Sequence, residues 1–407
     1  MISVGLFSCV DRGLNENPTR STNLDPNYQL SAAQLRTWGS MDLATGYNTY
    51  ISALTQQMQG NWDASNYGAT YRKDDNQMKG IWNDLYGNQI KNLVDIVERT
   101  AYDPQWRNLN AVARIYKVYI FSILTDIYGD IPYFEAGMAY LTQNTMPKFD
   151  TQEEIYKDFF HELDYAASYL NEYGGAVPGD LIFGGDYTKW RRLANSLHLR
   201  FAMRLVTIDP ELARQEAAKA IDGISLVMQS SDDNALLSSY IDLYDTGYSE
   251  FRRNALAQKW YSVDNSPSPF LSETFFNFLW YGKAERNENW VRDEDYNSPK
   301  EDPRTFVLSR IYYHDDPHAE KKPFSRLDLT QEFVDKLASD AATSTNRRIW
   351  PTPKGRFWYN SWNTGINEST TIRAAYGERV QAAGGSCRPQ LNNVFLKRNI
   401  PGVMMTY

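Results

Sequence analysis

A chain of 407 residues with 42% hydrophobic residues is long enough to bury a large core, either as one compact body or as two subdomains. Its formal net charge is −8 and its Lys and Arg residues form no basic stripe, which argues against a nucleic-acid partner. No stretch approaches the ~20 consecutive apolar residues of a membrane-spanning helix. The two cysteines, Cys9 and Cys387, do not predict a disulfide framework.

Aromatic residues are the unusual part of the composition. The chain has 11 Trp, 28 Tyr and 18 Phe, which together make up 14% of it. Tyr and Trp present an apolar ring and keep a polar group, so they suit surfaces that stack on flat, partly hydrophobic ligands. The composition is therefore compatible with a surface that binds sugar rings.

The first residues are loop-like and contain a cysteine motif. Asn and Pro residues interrupt any helical period before residue 30, which predicts a leader followed by an extended arm. Leu6-Phe7-Ser8-Cys9 is similar to a lipobox, in which a small residue before Cys permits cleavage and Cys9 is then acylated. Only eight residues precede Cys9, fewer than a normal signal peptide has, which indicates a start further upstream. The alternative is a free cysteine in a disordered start.

Two helices are predicted over residues 82–127. Apolar residues recur every three or four positions over residues 82–97, which places them on one helical face. Asp103-Pro104 then supplies an N-cap with Pro at the first helical position, and a second apolar stripe covers residues 109–127. Gly129 is placed to end that second helix.

Three further helices follow, and the short turns between them predict αα-hairpins. Asp150 with Glu153 is similar to a capping box at the start of one helix, and Gly174-Gly175 is placed to end it. The next helix carries an apolar stripe over residues 190–205, and Asp209-Pro210 opens the last one. Beyond these helices, Pro, Asn, Asp, Trp and Tyr interrupt every stripe, which predicts loops and short helices.

Two segments carry a resemblance to a known family. Tyr128-Gly129-Asp130-Ile131-Pro132-Tyr133 joins a helix end to an aromatic loop, and residues 190–205 form an Arg-rich amphipathic pattern. Together with Asp302-Pro303-Arg304 they resemble the SusD/RagB family, outer-membrane lipoproteins that capture nutrients for a TonB-dependent transporter in Bacteroidetes. Residues 128–133 are interpreted as structural, because Gly and Pro after a helix are how a helix ends against a core. Residues 190–205 are interpreted as a core helix, because the apolar residues follow one stripe and the Arg residues suit solvated or salt-bridging positions.

The resemblance implies a mainly α fold, a tetratricopeptide-like superhelix of helix pairs with a loop-rich, variable second half. It implies a signal-peptide remnant over residues 1–9, an extended arm over 10–30, a helical half over 31–229 and a ligand-binding region over 230–407. It also implies truncation before the C-terminal helices, because Val394–Tyr407 is similar to the lead into a further helix.

The resemblance further implies a surface-exposed protein, held at the outer membrane by lipid on Cys9, that binds oligosaccharides and delivers them to a SusC-like TonB-dependent β-barrel transporter. No enzymatic activity is expected, since the sequence has no Gly-x-Ser-x-Gly elbow, no phosphate-binding Gly-rich loop and no Cys with a convincing His partner. Two alternatives stay open: a RagB-like protein that binds peptides, and a glycoside hydrolase.

Three clusters of aromatic residues in polar, aperiodic sequence form the predicted ligand-binding site. A sugar ring needs a flat aromatic face for its C–H side and nearby Asn, Asp or Arg for its hydroxyls. Many Trp residues pack in cores instead, so the clusters as groups carry the prediction. The clusters are Asn61, Trp62, Asp63, Tyr67, Tyr71 and Arg72; Trp280, Tyr281, Trp290 and Tyr296; and Trp358, Tyr359 and Trp362, with Trp350 nearby.

No cofactor or metal site is predicted. His314 and His318 have a separation seen in metal sites, but a proline between them disfavours a helix and no third ligand is apparent. Asp293–Asn297 is similar to the start of a calcium loop, yet Ser298 and Arg304 stand where such a loop has Gly and Glu. Structural calcium is therefore compatible with the sequence and not supported by it.

Overall fold

The computed structural model describes residues 24–59, 67–222, 226–239, 250–261, 270–272, 275, 309–310, 390–391 and 400–407, and these are mainly helical. Within these ranges, none of the helices combines the length and the hydropathy that crossing a bilayer requires. Numbered in chain order, the helices are α1 (Pro26–Gly39), α2 (Met41–Gly46), α3 (Ser52–Leu54), α4 (Asp75–Asp84), α5 (Lys91–Thr100), α6 (Arg107–Tyr128), α7 (Ala139–Thr142), α8 (Gln152–Tyr169), α9 (Tyr187–Arg204), α10 (Pro210–Ile221) and α11 (Ala255–Tyr261).

Short elements connect and accompany these helices. The π-helical segments Tyr47–Ile51 and Leu85–Ile90 join α2 to α3 and α4 to α5, and 3₁₀ turns occur at Gly68–Thr70, Pro104–Trp106 and Ser231–Asp233. The strands are β1 (Met58–Gln59), β2 (Ala235–Leu237), β3 (Phe270–Leu271), β4 (Ser309–Arg310), β5 (Gln390–Leu391) and β6 (Gly402–Met405). They form one sheet in the order β1-β3-β5-β4 and a second of β2 and β6, with every pair antiparallel.

Helix α6 lies at the centre of the helical stack, and its sequence explains why. Asp103 accepts a hydrogen bond from the Gln105 N–H at 3.0 Å, so Pro104–Trp106 forms a 3₁₀ turn that leads into the helix. Apolar residues occupy most faces of α6, and Ile115 is completely buried. The helix packs on α5 and on α8, and Gly129, with a φ of +77°, ends it as predicted.

The main helices pack in sequence order. Helix α5 packs on α6, α6 on α8, α8 on α9 and α9 on α10, so neighbours in the chain are neighbours in the stack. Aromatic rings fill the seam between α8 and α9, where the ring centroids of Phe159 and Phe201 lie 5.3 Å apart. The stack is therefore a row of helix pairs, and the predicted start of α10 at Asp209-Pro210 is confirmed.

The predicted extended arm is wrong in its last part. Residues 26–30 are helical, because Pro26 is the first residue of α1 and does not interrupt it. The Asp25 carboxylate caps this helix by accepting a hydrogen bond from a backbone N–H of the first turn at 2.8 Å. Leu30, which was assigned to the arm, is completely buried in the core. The rest of the arm lies outside the described residues.

The predicted capping box at Asp150 is also wrong. The box forms one residue later: Thr151 Oγ1 accepts the Glu154 N–H, and the Glu154 carboxylate accepts the Thr151 N–H. Asp150 is buried and instead accepts hydrogen bonds from the N–H groups of Tyr133 at 3.0 Å and Phe134 at 2.9 Å. Asp150 therefore fastens the loop that follows α6 to the start of α8.

The double glycine does not end α8 as predicted, because the helix stops at Tyr169. Gly174-Gly175 instead brings the next loop against the start of α6. A Cβ on Gly175, where φ is +84°, would lie 1.9 Å from the carbonyl oxygen of Gln105. The Asn108 side chain also donates a hydrogen bond to the Gly175 carbonyl at 3.0 Å. The glycines are needed for this close approach.

A buried carboxylate, Asp180, fastens the loop before α9 to two helices. Its Oδ1 accepts hydrogen bonds from Gln34 Nε2 of α1 at 2.9 Å and from the Ile182 N–H at 3.0 Å. Its Oδ2 accepts the Trp190 Nε1–H of α9 at 2.7 Å and two further backbone N–H groups of the loop at 3.1 and 2.9 Å. Five donors thus satisfy one carboxylate that is 4% exposed.

The strand pair β2–β6 lies against α1. Leu236 is opposite Val403, and Leu237 is opposite Gly402. A Cβ on Gly402 would lie 2.4 Å from the Trp38 ring of α1, so this contact needs glycine. Most of the predicted loop-rich second half lies outside the described residues, and that part stays a prediction.

Candidate ligand-binding site

Three predicted ligand-binding residues, Tyr67, Tyr71 and Arg72, lie in the described turn that precedes α4. Cys9, the predicted lipidation site, and the other predicted ligand-binding residues lie outside the described residues and stay predictions. These are Asn61, Trp62, Asp63, Trp280, Tyr281, Trp290, Tyr296, Trp358, Tyr359 and Trp362. The histidine pair His314 and His318 and the calcium-like segment Asp293–Asn297 also lie outside them.

The turn is built around the backbone carbonyl of Tyr67. This carbonyl accepts hydrogen bonds from the backbone N–H groups three and five residues later, at 3.2 and 2.9 Å. Gly68 lets the turn lie directly on the preceding helical segment, because a Cβ there would be 2.4 Å from the Thr49 carbonyl oxygen. The backbone of the turn is therefore held in one position by contacts on its inner side.

The side chains of the turn place a ring beside a cation. Tyr67 is half-buried, and its ring centroid lies 6.1 Å from that of the buried Tyr50. The Arg72 guanidinium carbon lies 5.5 Å from the centroid of the Tyr67 ring, a cation–π contact that orients the guanidinium. Tyr71 is 72% exposed. The turn therefore exposes the Tyr71 phenol and, next in the chain, the Arg72 side chain, whose guanidinium contacts the Tyr67 ring.

The backbone of Tyr71 is strained. Its φ of +55° and ψ of +26° lie in the left-handed region, which costs residues other than Gly about 1–2 kcal/mol. A bulky aromatic residue in this conformation is retained where surrounding contacts fix it, and such positions cluster at binding sites. At Tyr71 this conformation ends the 3₁₀ turn Gly68–Thr70, where the Tyr71 N–H donates a hydrogen bond to the Gly68 carbonyl at 3.1 Å.

The chemistry of this turn is that of contact and recognition. A phenol ring offers an apolar face to the C–H side of a sugar, and its hydroxyl both donates and accepts hydrogen bonds. The guanidinium offers five N–H donors in a fixed plane, which suits hydroxyl or carbonyl oxygens. Lys73 and Asp75 follow as an exposed ion pair at 3.0 Å. The turn thus offers contacts that a polyhydroxylated ligand can use.

The segment from Tyr128 to Tyr133 is structural, as interpreted from its sequence. The Tyr133 ring packs edge-on against Phe121 and Phe159, with centroids 4.7 and 5.8 Å apart. Its hydroxyl donates a hydrogen bond to Asp158 at 2.6 Å. Burial, followed by the nearby Asp158 charge, raises the pKa of Tyr133 well above its usual range. This side chain therefore serves the core.

Arg residues of α9 form ion pairs, in agreement with the interpretation of that segment as structural. Arg192 lies 2.8 Å from Asp233, and Arg204 lies 2.9 Å from Asp126. Arg191 donates to the backbone carbonyls at the end of α8, which have no partner within their own helix. These guanidinium groups are engaged in holding the stack together.

An aromatic cluster at the surface was missed by the sequence pattern. Trp82 is half-buried and stacks with Phe149, which is 64% exposed; their centroids are 6.1 Å apart and their planes 23° apart. Tyr86 and Tyr128 flank Trp82 at 4.7 and 5.2 Å. The helical period placed Trp82 on the buried stripe, whereas Phe149 comes from a loop. No local signal in the sequence joins the two.

A titratable cluster between helices was also missed. His198 Nε2 lies 2.9 Å from Glu216 Oε2, and His198 Nδ1 lies 3.0 Å from Asp164 Oδ1. One potential ligand atom from each of these three residues lies within 4.8 Å of the other two. The residues come from α8, α9 and α10 and share no spacing that a sequence motif could capture. Among the residues that the structure describes, these three form the group whose side-chain donors could hold a metal ion.

The sequence and the fold are both similar to those of known proteins. A family model described as "SusD-like_2: Starch-binding associating with outer membrane" matches residues 18–294. No curated protein matches the sequence. A solved structure described as Bacteroidetes AC2a SusD-like is 32% identical, with a TM-score of 0.70, and the match covers 94% of this chain and 70% of that one.

Two further solved structures have the same fold. One described as a chitin-binding protein is 27% identical, with a TM-score of 0.64, and covers 94% of this chain and 68% of its own. A SusD homolog from Parabacteroides distasonis is 18% identical, with a TM-score of 0.59, over 93% of this chain and 65% of its own. The mainly α, tetratricopeptide-like fold is therefore confirmed. The family model spans more than half of the sequence, and the chain belongs to the SusD-like family.

Proposed function

We propose that the protein binds oligosaccharides and delivers them to a SusC-like TonB-dependent β-barrel transporter, as a surface-exposed lipoprotein held at the outer membrane through Cys9. The observation that carries the binding function is the turn that exposes Tyr71 and Arg72. The family description, starch-binding and associated with the outer membrane, supports it, as does the relative described as chitin-binding.

The turn supplies one part of a larger binding surface. A sugar ring would stack on Tyr71, and the Arg72 guanidinium would donate hydrogen bonds to its hydroxyl oxygens. A single ring contact is weak, so useful affinity needs several preformed aromatic contacts along an oligosaccharide. Trp62 and Trp358 are the predicted residues that we propose provide them. A fixed turn lowers the ordering cost of binding, because its backbone does not have to reorganise.

We propose no catalytic step. A stacking ring and a guanidinium provide contacts, whereas glycoside hydrolysis requires two carboxyl groups that flank the glycosidic bond. Incubation of the purified protein with starch and chitin tests this: we expect no increase in reducing ends above a heat-inactivated control. A steady, enzyme-dependent release of reducing ends would establish the hydrolase alternative.

Binding is tested by isothermal titration with maltooligosaccharides, chitooligosaccharides and a mixed peptide library. We expect an oligosaccharide to bind and Tyr71→Ala to weaken it about two- to tenfold, the equivalent of about 0.5–1.5 kcal/mol for one aromatic contact. The matched control is Tyr102→Ala, since Tyr102 is 98% exposed and lies in another loop. Binding of peptides and of no sugar would establish the RagB-like alternative.

Delivery is tested separately from binding. We expect the lipidated protein, coexpressed with a SusC-like TonB-dependent transporter from the same organism, to copurify with that barrel from outer membranes. A Cys9→Ala variant should appear in the soluble fraction. Copurification at the level of an unrelated outer-membrane lipoprotein would contradict the transporter part of the proposal and leave sugar binding unaffected.

A further inference from the structure

The Asp164–His198–Glu216 cluster has the composition of a transition-metal site. Imidazole nitrogen combined with carboxylate oxygens suits Zn²⁺, Cu²⁺ or Ni²⁺, whereas Ca²⁺ and Mg²⁺ prefer oxygen ligands alone. His198 is 1% exposed and Glu216 is 7% exposed, so two of the three donors are already withdrawn from water. Three protein ligands leave one position for water, as in open zinc sites.

The surroundings of His198 fix its ring. Phe160 of α8 packs on the imidazole, with centroids 4.9 Å apart and planes 39° apart. The three ligand residues belong to three helices that pack in consecutive order, so their backbones are held by the core. Metal binding would therefore require side chains to move but would not add the ordering cost of a flexible loop.

The distances show which side chains have to move for one metal to bind. Zinc at about 2.1 Å from each ligand atom separates neighbouring ligand atoms by roughly 3.4 Å in a tetrahedron. The two carboxylates contact opposite nitrogens of the His198 ring, at 3.0 and 2.9 Å, so one of these contacts has to open by about half an ångström while the other carboxylate, now within 4.8 Å, has to move closer by side-chain rotation. One ring nitrogen binds one metal. Asp164 must therefore approach Nε2, which faces Glu216, or Glu216 must approach Nδ1, which faces Asp164. Asp164 is 48% exposed and has room to move.

The charges of the cluster favour a dication. Asp164 and Glu216 together carry two negative charges, and Lys219 pairs with Glu216 at 2.9 and 3.1 Å. Lys219 is 56% exposed and can turn into solvent when a metal takes its place. A metal would then neutralise both carboxylates at a nearly buried position.

We propose that Asp164, His198 and Glu216 bind a divalent transition-metal ion, with Zn²⁺ as the probe, and that this ion joins α8, α9 and α10. Such a site would lie in the helical stack and not in the ligand-binding turn, so it is independent of the proposed function. Its role would be to stabilise the stack, since a metal bound by the folded state alone stabilises that state.

The test uses the full chain without an affinity tag, stripped with a chelator and titrated calorimetrically with Zn²⁺ at pH 7.5. We expect one equivalent to bind, Co²⁺ to give a visible ligand-field absorption band, and Zn²⁺ to raise the Tm. Asp164→Asn and His198→Gln should each weaken binding tenfold or more, since loss of even an outer-shell partner costs roughly 10–100-fold. Asp164→Asn decides the matter if His198→Gln does not fold, because Asp164 is half-exposed.

His161→Gln is the matched control, since His161 lies on α8 and is exposed. We expect it to bind Zn²⁺ as the unaltered chain does. Absence of saturable Zn²⁺ binding would overturn the proposal. Equal binding by Asp164→Asn and the unaltered chain would also overturn it, because the metal would then lie elsewhere.

Discussion

Replacing Asp180 with Asn tests whether one buried carboxylate holds three parts of the fold together. The substitution keeps the shape of the side chain and replaces one acceptor oxygen with an NH₂ donor. If the remaining oxygen takes the Oδ2 position it keeps three donors, among them Trp190 Nε1. The NH₂ group then faces Gln34 Nε2 and the Ile182 N–H, two donors that have lost their acceptor.

The cost follows from those two bonds. A hydrogen bond to a charged group contributes about 1.5–3 kcal/mol, so the loss of two destabilises the protein by at least about 3 kcal/mol. Gln34 cannot relieve the conflict by turning its amide, because its Oε1 already accepts the Leu181 N–H at 2.7 Å. Rotating the Gln34 amide would relieve the conflict at position 180 but would lose the hydrogen bond from the Leu181 N–H. If the NH₂ group instead takes the Oδ2 position, three donors lose their acceptor and the protein is destabilised more.

Urea unfolding followed by far-UV circular dichroism measures this cost. We expect Asp180→Asn to lower the transition midpoint with little change in m, since the surface exposed on unfolding stays the same. Asp222→Asn is the control, because Asp222 is exposed at the end of α10 and should shift the free energy of unfolding by less than about 0.5 kcal/mol. A cost below about 1 kcal/mol for Asp180→Asn would refute the reasoning.

Three other changes probe the turn, a helix start and a buried charge. Gly68→Ala should weaken oligosaccharide binding in the titration assay and lower the free energy of unfolding in urea by about 1–3 kcal/mol, because the added methyl group meets a backbone carbonyl. Unchanged affinity would contradict the role of the turn in binding. Thr151→Ala should cost about 1 kcal/mol in the same unfolding assay, while Thr151→Ser should cost less, since it keeps the capping oxygen. Burial alone would raise the pKa of Glu162, but Lys117 and Arg114 outweigh it and lower that pKa. A carboxylate whose pKa is lowered in the folded state stabilises the fold at pH values above its unfolded pKa, and this stabilisation is lost as pH falls through the folded pKa. The stability difference between Glu162→Gln and the unaltered chain should therefore shrink below about pH 4. A difference that stays constant from about pH 7 to about pH 3 would contradict this reasoning.

The helices that the sequence predicted well are those with strong local signals. Asp103-Pro104 and Asp209-Pro210 combine a cap with a proline at the first turn, and Gly129 supplies the positive φ with which α6 ends. Pro26 misled the prediction because the same residue type opens a helix in one context and interrupts it in another. Asp150 misled it because a distant loop, and not the adjacent helix, uses its carboxylate.

The candidate site was predictable in residue type and not in geometry. The polar, aperiodic sequence around Tyr71 marked it as a surface aromatic residue, but its left-handed backbone depends on contacts that Gly68 makes with another helical segment. Clusters that join distant segments had no sequence signal. His198 meets its two carboxylate partners only because three helices stack in order.

The antiparallel pairing of β2 with β6 has a consequence for the order in which the chain folds. Residues 235–237 obtain their strand partner, and Trp38 its contact with Gly402, only when residues 402–405 have left the ribosome. Helices α5 to α10, in contrast, contact neighbours that are close in sequence. Local contacts close short loops and form early, and contacts of high sequence separation form late. During synthesis, the helical stack should therefore resist proteolysis first, while the surface of α1 around Trp38 stays uncovered until β6, which is made long after α1, has emerged.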